Sequence, residues 1–293
     1  MMKTSTSNHY RQRLTKVIDY IYNNLDGDLG VNTLADIAMM SPYHFHRIYR
    51  EMANDTVNAT VRRLRLQRAA ADLIRSEKPL SDIARTVSYG SLEAFSRAFT
   101  KEFGEAPSDY REARQNLPVS QDQPFIAMLP SPKRLVEMFT VEMMDLDEIH
   151  LAGYPHKGNY MEIGAVFEKL FVYGASQHLI DENTRSFGIY YDDPESIDEK
   201  ELRSMACGTL DPNAELTGDD IPERISIPEG RYASVLFKGS YAELDKPYSW
   251  LFGEWFPKSG FEAGDFPPIE EYLNDPKVTP PSELLTRIYC KLG

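Results

Sequence analysis

Two arginines, Arg47 and Arg97, stand in one repeated pattern, Phe45-x-Arg47-x-Tyr49 and Phe95-x-Arg97-x-Phe99, at an offset of 50. A guanidinium bonds bidentately to O6 and N7 of guanine in a DNA major groove. Tyr43, His46 and Arg50 share a helical face with Arg47, while Ser91, Leu92, Glu93 and Ser96 accompany Arg97. Other uses stay open. Either arginine can hold a phosphate, or an acid such as Glu51 or Glu93. Tyr43 and His46 suit base edges and thymine methyls, or packing on their own helix. Glu93 can accept from a cytosine amino group or orient Arg97 from one turn away. Late in the chain a second chemistry appears. Glu270 projected among Tyr160, Tyr190, Trp255 and Tyr272 would attract flat or amphipathic cations, each cation over a ring gaining ~0.5–2 kcal/mol. Its alternative is a solvated strand end at Glu270 or Glu271, with the aromatics as ordinary core. Cys207, Cys290 and six scattered histidines make no ligand set at metal spacing, so neither a metal nor a cofactor is expected. No nucleophile elbow, phosphate loop or HExxH run is present.

Helices must position the arginines. Leu34-x-Asp36-Ile37-Ala38 returns as Leu80-x-Asp82-Ile83-Ala84, at an offset of 46. Each copy predicts a short helix, a tight turn and a second helix with a basic face. Asn32 or Thr33 can cap the first helix, Ser41-Pro42 starts the second, and Ser91 caps its counterpart. Between the units, roughly Val57 to Ser76 forms one helix of ~30 Å, close to the ~34 Å between successive major grooves. Four prolines among polar residues mark 116–134 as a semi-extended linker. Beyond it lies a clearer duplication. Gly158-x-Tyr160-x-Glu162 returns as Gly239-x-Tyr241-x-Glu243, Leu170-Phe171 as Leu251-Phe252, and Tyr190-x-x-Asp193-Pro194 as Tyr272-x-x-Asp275-Pro276. The unit is strand–helix–strand–strand, twice. The expected class is therefore multidomain, an N-terminal all-α tandem helix-turn-helix followed by an α+β domain. Its two repeats would share one antiparallel sheet with two helices on one face and a cleft between them.

Charge divides the chain in the same place. Residues 1–115 hold 17 Lys/Arg against 14 Asp/Glu, a net +3, and residues 116–293 hold 15 against 31, a net −16, which together give −13. A mildly basic front suits phosphate; a strongly acidic back repels it and favours cationic partners. No apolar run reaches the ~18 residues of a membrane helix, and the polar start has no apolar signal core. With so few cysteines, a cytoplasmic setting is expected.

Residues 10–114 resemble the AraC/XylS family of transcription activators. The resemblance rests on Leu34-Ala35-Asp36-Ile37-Ala38, Ser41-Pro42, Phe45-x-Arg47, Tyr89-Gly90-Ser91 and the run Phe95-Ser96-Arg97-Ala98-Phe99-x-Lys101-x-Phe103-Gly104 with Pro107 and Tyr110-Arg111. Ser88-Tyr89 departs from the family's usual Gly-Phe pair, with no loss of fold expected. The last 160 or so residues look like the GyrI-like effector-binding domain. The carriers are Gly158-x-Tyr160, the helix with Leu251 and Trp255, Pro268-Ile269-Glu270-x-Tyr272, Asp275-Pro276 and Pro281-x-Glu283-Leu284. The resemblances imply a DNA-binding domain at 8–115, the linker at 116–134 and an effector domain at 135–293. They further imply binding to double-stranded promoter DNA and a small effector, with RNA polymerase as a further candidate partner; with no heptad seam in linker or helices, a monomer or weak dimer is expected. Some GyrI-like domains resemble small hydrolases. On that alternative Glu270 would be the base and Trp255 the wall. A third reading makes the acidic domain a protein-binding surface.

Overall fold

The structure, a computed structural model, describes residues 5–27, 29–114 and 139–293. The linker at 116–134 falls outside the described residues. Helix α1 (Ser5–Asn23) packs on α2 (Val31–Ala38), which leads through a tight turn into α3 (Pro42–Ala53). The long α4 (Val57–Arg75) connects this unit to α5 (Leu80–Thr86), α6 (Leu92–Phe103) and α7 (Pro107–Arg114). Thr56 caps α4 and Ser91 caps α6, each side chain accepting from the N–H three residues on. Neither Asn32 nor Thr33 caps α2, which begins at Val31 after Gly30. The turns end on non-glycine residues in left-handed conformation, Met39 (φ 51°) and Ser88 (φ 62°). Ser88 is the position where the family resemblance leads one to expect glycine.

The C-terminal domain is one eight-stranded antiparallel sheet in the order β1-β6-β8-β7-β3-β4-β2-β5. The first repeat contributes β1 (Val141–Leu146), β2 (Ile149–Lys157), α8 (Gly164–Ser176), β3 (Ser186–Tyr190) and β4 (Arg203–Thr209). The second contributes β5 (Glu223–Ile227), β6 (Gly230–Lys238), β7 (Ile269–Tyr272) and β8 (Leu285–Lys291). Between β6 and β7 runs one interrupted helix: α9 (Asp245–Trp250), a π turn (Leu251–Trp255) and α10 (Phe256–Ser259). The order is a palindrome about the β3–β7 junction, so the pseudo-two-fold expected from the duplication is real. Its first strands, β1 and β5, are missing from the sequence-based unit. Each crosses to the far edge of the other repeat's strands, and their short, charged sequences carry little apolar alternation. Gly158 (φ 125°) and Gly239 (φ 155°) are two-fold mates that turn each chain from strand to helix.

The cores explain how the pieces join. One apolar cluster belongs to the second helix-turn-helix unit, around Leu73, Ile83, Phe95 and Phe99. Another lies on the sheet face away from the helices, around Phe187, Ile269 and Tyr289. The largest is shared. Leu14, Val17, Phe45 and Ile48 of the first unit are continuous with Val235, Leu251, Phe252, Phe256 and Ile288 of the C-terminal domain. The first helix-turn-helix unit is thus docked on the sheet-and-helix domain, and the second is not part of that core.

Candidate functional site: a dyad cleft and the helix that covers it

Side chains alternate across β7. Ile269 and Glu271 point to the far face, and Glu270 points to the helix face. Both acids are buried, at 5% and 6% exposure, so neither is a solvated strand end. Glu271 is closed off by the Tyr289 hydroxyl at 2.5 Å and Arg185 Nε at 2.7 Å. Glu270 accepts from the Tyr248 hydroxyl (Oε1, 3.0 Å) and the Tyr272 hydroxyl (Oε2, 3.0 Å), and Tyr272 is 2.5 Å from the Tyr190 hydroxyl. Burial pushes the Glu270 carboxyl up to about 7, with the two tyrosine hydroxyls and the Arg47 charge pulling the other way.

The two-fold organises the rest. Tyr160 packs edge-on against Tyr190 at 4.8 Å between centroids, and its mate Tyr241 packs likewise on Tyr272 at 5.3 Å. Phe167, the mate of Tyr248 by the 81-residue offset, meets Tyr272 at 5.5 Å. The mate of Glu270 is Gly188, and the two pair directly across the β3–β7 junction. A Cβ on Gly188 would fall 2.7 Å from both the Tyr190 ring and the Tyr272 hydroxyl. Aromatic side chains thus gather in near two-fold pairs around one buried carboxylate on the axis.

Tyr160, Tyr190, Glu270 and Tyr272 come together as the sequence suggested. Trp255 does not join them. It stacks on Phe261 (6.2 Å, 7°), meets Phe256 edge-on and lies against the shared core. Leu251 and Trp255 both pack in or against that shared core, turned to the first helix-turn-helix unit and not to Glu270. Sequence reasoning missed Tyr241, Tyr248 and Phe167, although applying the repeat to Tyr160 alone yields Tyr241.

The outer face of α6 is open: Ser91, Leu92, Glu93 and Arg97 are exposed and Ser96 half-buried. No ion pair joins Glu93 to Arg97 among the described residues. The face of α3 is covered instead. Arg47, expected outward, is 4% exposed. Its Nη2 donates to the Asp192 carbonyl at 2.9 Å, and its guanidinium lies 4.6 Å from the centre of the Tyr248 ring and 5.8 Å from that of Phe252. Burial works against its charge, but Tyr248, Asp193 and Tyr160 around it outweigh that, and its proton is held more tightly than usual. Arg50 pairs with Asp193 at 2.6 Å and with Glu51 at 2.9 Å. Tyr43 lies 6.2 Å from the Tyr191 ring. His46 is buried with neither ring nitrogen bonded. Ser41 Oγ bonds Asp265 at 3.1 Å rather than capping its own helix, and Ser249 Oγ donates to Glu51 at 3.0 Å. The reason is compositional. Phe45, Ile48, Tyr49 and Met52 fill the unit's own core, and the opposite face carries rings and cations that an acidic aromatic surface also accommodates.

Comparison with known proteins agrees with this division. A helix-turn-helix domain model matches residues 34–113, and a GyrI-like small molecule binding domain model matches residues 139–292. Regulatory protein SoxS of Salmonella typhimurium is 33% identical over 102 residues, covering 35% of this chain and 95% of that protein. The RCS-specific HTH-type transcriptional activator RclR of Escherichia coli is 40% identical over 87 residues, 30% of this chain and 31% of its own length. Among solved structures, EcmrR in an EcmrR–DNA complex is similar over 89% of this chain and 98% of its own, at 13% identity and a TM-score of 0.46. The chain belongs to the AraC family of DNA-binding transcription regulators and carries a C-terminal GyrI-like small molecule binding domain.

Proposed function

We propose that the C-terminal cleft binds a small cation with an aromatic or amphipathic body, and that its occupancy modulates promoter binding by the helix-turn-helix units. Glu270 carries the reading. A carboxylate taken out of water among ring walls, with two tyrosine hydroxyls as its hydrogen-bond donors, favours a positive charge beside it. A hydrophobic cation meets it with little desolvation cost of its own, and gains from each ring face. On the DNA side, Arg97 with Ser91, Leu92, Glu93 and Ser96 forms the open probe, and Tyr43, His46, Arg47 and Arg50 form the second. This reading involves no metal or cofactor and takes the chain to act as a monomer or weak dimer.

Titration calorimetry with tetraphenylphosphonium, against neutral triphenylphosphine oxide of similar bulk, tests the ligand class. The cation should bind the wild type and lose at least about tenfold in Glu270→Gln, while the neutral probe does not distinguish the two. Equal cation affinity in both proteins would remove the carboxylate from recognition.

A further inference from the structure

The cleft of this structure is served by a cation already, and the cation belongs to the DNA reader. Tyr248 links the two: its hydroxyl donates to Glu270 and its ring face receives Arg47. The guanidinium stands one ring away from the carboxylate and acts on it electrostatically. We propose that Arg47 is an intramolecular stand-in for the cationic ligand, so that ligand in the cleft and α3 on the cleft exclude each other, and ligand binding frees α3 to enter DNA.

Three observations bear on this. First, α3 cannot lie in a major groove while Arg47, His46 and Arg50 are covered, whereas α6 is open throughout. Docked, the chain offers DNA one probe; released, it offers two. Second, the dock is incompletely satisfied. Arg47 Nε and both ring nitrogens of His46 are buried without partners, and buried polar groups in that state carry a desolvation cost that is recovered when they reach water or phosphate. Third, beside the shared apolar core the α3 end of the attachment is polar and placed for exchange. Arg50 holds Asp193, whose other carboxylate oxygen is held by Ser196 Oγ at 2.8 Å, and Asn58 Nδ2 donates to the Ser196 carbonyl at 3.0 Å. A lipophilic cation entering over Tyr248 takes the ring face and neutralises Glu270. The Tyr248 ring face and the Glu270 charge are then lost to Arg47 together, which leaves it the Asp192 carbonyl and the Phe252 ring. By linkage, whatever the ligand does to α3 release, DNA on α3 does to ligand affinity in the same sense. The two therefore favour each other.

This inference rests on the cationic reading of the cleft, and one set of measurements on the full chain separates them. Tetraphenylphosphonium is titrated into the wild type, Arg47→Ala, Glu270→Gln and Gly253→Leu, and backbone hydrogen exchange is followed in α3 and α6. Gly253 faces α3, where an added Cβ would sit 3.1 Å from Glu51 Oε2, so a leucine there wedges the dock from the effector side. Removing a tethered competitor should tighten cation binding about tenfold in Arg47→Ala, and the wedge should act in the same direction. Saturating probe should speed exchange in α3 of the wild type and leave α6 unchanged. Cation binding that depends on Glu270 but is no tighter in Arg47→Ala, or an α3 whose exchange is unaltered by the probe, overturns the competition and leaves the cleft reading standing. Binding that is absent, or indifferent to Glu270→Gln, removes both.

Discussion

Glu270→Gln should make the ligand-free protein more stable, and by an amount that depends on pH. The carboxyl protonates at about 7 in the folded chain, against an ordinary 4.5. Because the folded value is raised, the ionised carboxylate destabilises the fold above pH 7, and the penalty is relieved as pH falls from 7 towards 4.5. Glutamine does not titrate, so its other effects on Tyr248 and Tyr272 are nearly constant with pH and cancel in a difference. The stability gain of Glu270→Gln over wild type at pH 8 should exceed that at pH 5 by about 2–3 kcal/mol. Each tenfold rise in the carboxylate's proton affinity contributes about 1.36 kcal/mol, and the part not yet relieved at pH 5 is subtracted. His44 is held down to about 3 by burial, and His46 is likewise lowered by burial. The cleft tyrosines Tyr190, Tyr248 and Tyr272 are raised well above 10 by burial. Glu270 is thus the cleft group that titrates between pH 5 and 8. Urea unfolding of both proteins at the two pH values measures it, with the midpoints converted through a common m-value. A gain that is the same at pH 5 and pH 8 would refute the claim that this carboxylate is held in a state above its ordinary proton affinity.

Other consequences are narrower. Ser88→Gly should stabilise the second helix-turn-helix unit by about 0.5–1 kcal/mol, since Ser88 sits at φ 62° where a Cβ is penalised; thermal unfolding checks it, and no gain would mean its Oγ contact at Leu25 offsets the strain. Gly188→Ala should abolish cation binding while leaving DNA binding by α6 intact, because its Cβ would collide with Tyr190 and Tyr272 at 2.7 Å; calorimetry and anisotropy read the two separately. Arg97→Ala should cost ~1–3 kcal/mol on a selected DNA site, and log affinity of the wild type should fall steeply with log salt. Unchanged affinity in Arg97→Ala would take that residue out of the interface, and affinity indifferent to salt would remove phosphate contact as the basis of binding.

How much of this the sequence carried depends on the kind of signal. The two helix-turn-helix units and the long α4 were legible because periodic apolar residues and end signals such as Ser91 and Gly104 act locally. The sheet's symmetry was legible because the duplication preserved Gly-x-Tyr, Leu-Phe and Tyr-x-x-Asp-Pro at fixed offsets. The edge strands β1 and β5 were not. Their pairing partners lie in the opposite repeat, and nothing local to Val141–Leu146 or Glu223–Ile227 announces that exchange. The place of Trp255 is not legible because the core it packs against is shared with the distant first helix-turn-helix unit, which leaves no local mark. Tyr241 was within reach, since the surroundings of a two-fold axis draw residues from both repeats.

The dock itself left a trace in the comparison of the two probes. At the 50-residue offset, Tyr43, His44, His46, Arg47 and Arg50 of α3 stand where α6 has Glu93, Ala94, Ser96, Arg97 and Thr100. One face carries rings and two long cations; the other is small and polar around a single arginine. A face that met only DNA would have no need of His44, which is buried against the C-terminal domain, stacks on Phe252 and reaches the Phe266 carbonyl at 3.0 Å. The charge division points the same way. A stretch of −16 over residues 116–293 beside a front of +3 presents to a basic helix much of what DNA presents, with the Asp192 carbonyl and the Asp193 carboxylate standing in for phosphate oxygens. The acidity that repels DNA from the C-terminal domain also gives that domain its hold on α3. On the competition proposed above, one electrostatic asymmetry would keep the C-terminal domain off DNA and let it compete with DNA for the first probe.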